Sequence, residues 1–115
     1  MTVNKRTLGT EKEFQAVKYL VDKGYTIVER NFRTRMGEID IIAMKDEYLV
    51  FVEVKYRSTS RYGNASEAVG IRKQQTIRNV ASFYLTTRYK RTDIPCRFDV
   101  IAINADSITH IQNAF

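Results

Sequence analysis

Two adjacent runs, "EIDIIAM" (residues 38–44) and "YLVFVEVKY" (residues 48–56), constrain the fold more than anything else in the chain. Both are rich in β-branched and aromatic residues and only "KDE" separates them, so they read as two strands of an antiparallel hairpin. A two-residue turn at Asp46 and Glu47 sets Asp40 opposite Glu53 and Glu38 opposite Lys55. Side chains alternate along a strand, which puts Phe51, Glu53 and Lys55 on one face and Val50, Val52 and Val54 on the other. By the same alternation Ile39 and Ile41 face away from Asp40. The second run starts apolar on both faces, as a strand in the middle of a covered sheet does. Charges at the end of such a strand are costly unless something uses them.

Opposed carboxylates repel each other, and a divalent cation held between them reverses the sign of that interaction. Only one cysteine, Cys96, and one histidine, His110, occur, which argues against zinc and against an internal disulfide. Carboxylate ligands point instead to Mg²⁺ or Mn²⁺, ions that leave most of their coordination sphere to water and phosphate. Lys55, one pleat beyond Glu53, is placed to orient an attacking water or to neutralise charge developing on a phosphate. The plain structural alternative has Glu53 and Lys55 decorating a strand end and Asp40 paired with an arginine.

Lys and Arg outnumber Asp and Glu by 19 to 13, a net charge of +6 that favours a polyanionic partner, nucleic acid above all. At 115 residues the whole chain, 1–115, is expected to form one domain with one core. The opening "MTVNKRTLGT" lacks a hydrophobic signal core, and no apolar run reaches membrane-spanning length, so a cytoplasmic protein without a membrane partner is expected.

Before the hairpin, Thr10 followed by Glu13 has the spacing of a capping box, and Phe14, Val17, Leu20 and Val21 recur at helical spacing until Gly24. A short strand follows over residues 25–32, then the basic turn "RTRMG". After the hairpin, "RSTSRYG" (residues 57–63) reads as a polar, basic loop. A second helix is expected within residues 70–88, with Ile77, Val80, Ala81, Tyr84 and Leu85 as its apolar stripe. The same helix turns Lys73 toward its buried side and the carboxylates. Residues 97–103 and 108–115 close the chain as two strands, and Asp99 is expected to pair with Arg97. The order is α-β-β-β-α-β-β, an α/β fold with a mixed sheet flanked by helices.

"GEIDIIA" followed by "LVFVEVKYRS" resembles the PD-(D/E)xK nuclease core. With the opening helix, "YGNASEAV" and "RFDVIAI", the chain is similar nearly end to end to the UPF0102, or YraN-like, group of predicted endonucleases, distant relatives of archaeal Holliday junction resolvases. The resemblance implies a restriction-endonuclease-like fold and Mg²⁺-dependent cleavage of a phosphodiester in DNA, branched or damaged DNA included. Asp40 matches the first acid of the motif, although Ile39 stands where the motif's name has proline; Glu53 matches the second acid and Lys55 the lysine. Glu13 matches an acidic position that resolvases use near the metal, and it equally suits the capping box. Glu38 is an accessory candidate, able to pair with Lys55. Arg33, Arg35, Arg57, Arg61 and Lys73 are the candidates for nucleic-acid contact. The alternative is a non-catalytic nucleic-acid-binding module that keeps the nuclease fold. A homodimer is compatible with either reading.

Overall fold

A computed structural model describes residues 5–56, 69–104 and 107–115, with only the backbone described before residue 11. Its elements are α1 (Lys5–Asp22), β1 (Thr26–Arg33), β2 (Glu38–Lys45), β3 (Tyr48–Tyr56), α2 (Ile71–Arg88), β4 (Cys96–Ile103) and β5 (Ile108–Ile111). This is the order expected from the sequence. The five strands form one mixed sheet in the order β1-β2-β3-β4-β5. The first three make an antiparallel meander, β4 runs parallel to β3, and β5 returns antiparallel to β4. A parallel step needs a crossover, and α2 lies in it.

Among the described residues each face of the sheet carries one helix. Ala16 and Leu20 of α1 cover Ile41, Ala43, Val50, Val52, Ile101 and Ile103. On the other face Ile77, Val80, Ala81, Tyr84 and Leu85 of α2 cover Ile39, Ile42, Leu49, Phe51 and Val100. The α2 stripe is the one the sequence predicts. The α1 stripe holds in part: Leu20 is buried and Val17 packs against the same core, but Phe14 and Val21 are 61% and 52% exposed and Ala16 is buried instead. The helix also begins at Lys5, which puts Thr10 inside it and overturns the capping box. An interior helical position has its backbone N–H already bonded and needs no cap, so Glu13 is not held there by capping. At the other end, β5 stops at Ile111 where a strand to residue 115 was expected. Asn113 takes φ 52°, and the Ala114 N–H bonds back to the Phe98 carbonyl.

Asp99 is fully buried on the α1 side and bonded on all sides. It accepts from Arg97 Nε and Nη2 at 2.9 Å each, stands 2.7 Å from His110 Nε2, and accepts the Asn113 N–H at 3.0 Å. Arg97 also donates to the Tyr25 hydroxyl. The expected Arg97–Asp99 pair is thus the centre of a larger network that ties β5 and the chain end to the sheet. These contacts hold Asp99 below the usual carboxylate range against the effect of burial.

The turn between β1 and β2 is clamped to α2 at Gly37. Its φ is 152°, and a Cβ built there would lie 2.5 Å from Thr76 Cγ2. Both constraints demand glycine. Gly37→Ala is therefore expected to lower stability by about 1–3 kcal/mol through strain and overpacking, read as a lower midpoint in urea at unchanged m-value.

Candidate active site

The hairpin register is the predicted one from the turn inward: Lys45 pairs with Tyr48, Ala43 with Val50 and Ile41 with Val52. Asp46, with φ 55°, supplies the tight turn that fixes it. The ladder ends at Ile41 and Val52, one pair short of Asp40 and Glu53. Instead of continuing, Asp40 turns its carboxylate into the gap and accepts the Val54 N–H on Oδ2 at 2.8 Å. On the far side β3 keeps its partner, with Glu53 beside Val100 and Lys55 beside Ala102 of β4. The site is the split that opens between β2 and the carboxyl end of β3, where the sheet changes from antiparallel to parallel. Open α/β sheets bind ligands beyond the carboxyl ends of their strands, where the direction of connection changes.

Asp40 also marks a break in the alternation of β2. Ile39 and Ile42 both belong to the α2-side core and Ile41 to the α1-side core. Ile39 therefore shares no face with Ile41, contrary to expectation. Across the sheet, Asn31 has φ 53°, between the pairs Arg30–Ile41 and Phe32–Ile39. An asparagine tolerates that conformation where a β-branched residue does not. The local irregularity turns Phe32 and Ile39 into the α2-side core.

Four charged side chains meet at this split. Glu53 is 7% exposed, and Lys55 Nζ and Lys73 Nζ stand 3.7 Å and 3.9 Å from its Oε1. Lys73 therefore reaches the site from α2 as expected. Burial, with the nearby Asp40 charge adding to it, pushes the Glu53 carboxyl up to about 7 in spite of the two ammoniums. Burial also raises Asp40, opposed by the Val54 amide. Glu13 approaches from α1, and burial and then the Asp40 charge raise it in turn. Asn31 opposes that rise, and Glu13 Oε1 is buried without a hydrogen-bond partner among the described residues.

This donor set fits a hard divalent cation. Carboxylate oxygens crowded out of water, with one buried oxygen unpartnered, are what Mg²⁺ or Mn²⁺ binds. Among the described residues no three His, Cys, Asp or Glu groups stand together as a complete ligand cluster. A metal here would take its protein ligands from the Asp40–Glu53 pair and Glu13, with water or phosphate completing the shell, as is usual for Mg²⁺.

The other predicted residues divide. Glu38 pairs with Arg33, Nε to Oε2 at 2.9 Å, and not with Lys55, because the ladder that would have set them opposite ends three residues earlier. Arg33 and Arg35 lie at the β1–β2 turn, on one side of the split. Arg57 and Arg61, with the predicted loop at residues 57–63, fall outside the described residues. Asn31 was missed. An asparagine within a strand-like run is itself a signal, since strands are poor in it.

The model described as "Uncharacterised protein family UPF0102" matches residues 12–103. A UPF0102 protein of Lachnoclostridium phytofermentans is 47% identical over 113 residues, covering 98% of this chain and 96% of that protein. One of Thermodesulfovibrio yellowstonii is 47% identical over 108 residues, covering 94% and 95%. One of Shewanella baltica is 48% identical over 109 residues, covering 95% and 99%.

Proposed function

The chain belongs to the UPF0102, or YraN-like, family, and from that premise we propose that it hydrolyses phosphodiester bonds in DNA with a divalent metal held by Asp40 and Glu53. One observation carries the reading. A buried carboxylate, Glu53, is kept beside a second, Asp40, at a cost that shows in its raised proton affinity, and a purely structural strand end has no use for that arrangement. Positive charge alone would serve binding better, because unscreened acids repel a polyanion.

Within this reading each side chain has a task. Asp40 and Glu53 hold the metal, and Asp40 is oriented for it by the Val54 amide. Glu13, whose buried Oε1 has no partner among the described residues, would add a third carboxylate on the α1 side of the metal. When bound, Mg²⁺ or Mn²⁺ supplies charge stabilisation and a more acidic water. Lys55 sits between Glu53 and solvent, 28% exposed along its side chain, placed to orient the attacking water and to stabilise negative charge as it develops on the phosphate. Lys73, on the α2 side of Glu53, positions the carboxylate and meets the incoming backbone.

The second reading, a nucleic-acid-binding module without catalysis, draws on the two ammoniums near Glu53. They supply part of the countercharge a metal would bring. Incubation with linear, nicked, flapped and four-way-junction DNA separates the two. Cleavage is expected with Mg²⁺ or Mn²⁺ and none with chelator. Tight binding with no cleavage of any substrate in either ion would favour the module.

A further inference from the structure

Along α2, the stripe that begins at Lys73 continues through Thr76 and Val80 to Phe83, at helical spacings that keep all four on one side. Lys73 reaches Glu53, Thr76 and Val80 pack beneath Gly37, and Phe83 emerges beyond the β1–β2 turn. There it borders a notch of about 430 Å³ lined by Arg33, Thr34, Arg35, Met36 and Phe83. That volume lies within the range of small-ligand sites. Phe83 and Met36 are 45% and 48% exposed, two large apolar side chains left in water between two guanidiniums.

The notch is braced. Thr34 Oγ1 accepts the N–H groups of Met36 and Gly37 at 3.1 Å and 3.3 Å, and the Thr34 N–H bonds the Gly37 carbonyl at 2.8 Å. Phe32, buried in the core, stands behind Phe83 with ring centroids 6.3 Å apart. Arg33 Nε is engaged with Glu38, which holds that guanidinium at the rim. Arg35 forms no ion pair among the described residues. An exposed aromatic ring and a polarisable thioether, with one guanidinium held by Glu38 and a second, Arg35, without an ion pair among the described residues, suit a flat π-system linked to an anion. A nucleobase with its neighbouring phosphates has that form.

We propose that this notch binds an unpaired base of the DNA, stacked on Phe83 against Met36, with Arg35 on an adjacent phosphate. The proposal rests on the DNA reading above and adds to it what the site selects: a distorted duplex, recognised at a fixed distance from the cut. Phe83 follows Lys73 by about 15 Å along the helix axis at about 1.5 Å per residue. A base swung out of a bulge, a flap or a junction arm reaches the notch while a phosphate several positions away lies at Asp40 and Glu53; a continuous stack cannot offer one.

The test is fluorescence anisotropy in Ca²⁺ with three end-labelled duplexes: fully paired, carrying one bulged thymine, and carrying an abasic bulge that bends the helix without a base. Wild type is expected to prefer the thymine bulge to both others. Phe83→Ala is expected to weaken binding to the thymine bulge by about 5- to 150-fold, leave the paired duplex unchanged, and so erase the preference. Phe83→Tyr restores it. Unchanged affinity for the paired duplex also shows that the variant is folded. Equal binding of all three duplexes by wild type, or an equal loss on all three in Phe83→Ala, would overturn the base site while leaving the DNA reading intact. Failure of wild type to bind any duplex would overturn both.

Discussion

Lys55→Ala is expected to lower the rate of DNA cleavage by about 10²–10³, the loss that follows removal of one preorganised transition-state donor. DNA affinity and metal affinity change little by comparison. The separation follows from position. Lys55 lies 3.7 Å from buried Glu53 with its own side chain partly exposed, so on the proposed reading it would meet the reacting phosphate without carrying the rest of the DNA contact. Single-turnover rates at saturating protein read the chemical step, and anisotropy in Ca²⁺ reads binding. An equal fall in both would make Lys55 a phosphate anchor with no part in the chemistry.

A second large effect concerns stability, and it runs against the ordinary expectation that a site variant weakens the fold. Glu53 has its folded-state pKa raised from 4.5 to about 7. Below about pH 4.5 it is protonated in both folded and unfolded chains. Between there and about pH 7 the folded protein keeps a proton that the unfolded chain has lost. Metal-free stability therefore falls as pH rises through that window, by on the order of 3 kcal/mol from Glu53 alone, with the raised Asp40 and Glu13 carboxyls acting in the same direction. Glu53→Gln, which cannot ionise, is expected to remove most of the decline and to exceed wild type in stability at pH 8, an outcome typical of sites that trade stability for activity. Asp99 works the other way: its pKa is lowered, so its contribution is lost only in acid, below the ordinary carboxylate range, outside the window in question. Urea melts from pH 5 to pH 8 in chelator check both curves. A wild-type stability that stays flat or rises over this range would contradict the raised pKa.

Much of this site was legible in the sequence because two strong local rules agree there. A tight turn at Asp46 and Glu47 fixes the hairpin register, and the period of two fixes the faces, so Asp40, Glu53 and Lys55 could be brought together before any coordinates. Lys73 followed from helical spacing relative to Ile77. What the sequence concealed lies where the regular rules stop. The end of the β2–β3 ladder at Ile41 and Val52 gave Glu38 a different partner, and the irregularity at Asn31 moved Ile39 to the other face. The end of the ladder has no local signature, whereas the irregularity has one, Asn31 within a strand-like run. The apparent capping box at Thr10 failed because the helix had begun before it. Phe83 lies outside the predicted apolar stripe, and its exposure beside the basic turn is a tertiary fact with no local sign.

The central claim is that Asp40 and Glu53 together hold a divalent cation, and thermal or urea unfolding at pH 8 with increasing Mn²⁺ tests it most directly. Wild type is predicted to gain about 2.7 kcal/mol once the free ion reaches about a hundred times its Kd, a gain that shrinks toward pH 5 as protons compete for Glu53. Asp40→Asn and Glu53→Gln are predicted each to lose most of that gain, and the double variant all of it. Equal stabilisation of wild type and the double variant by Mn²⁺ would place the ion elsewhere and contradict the account.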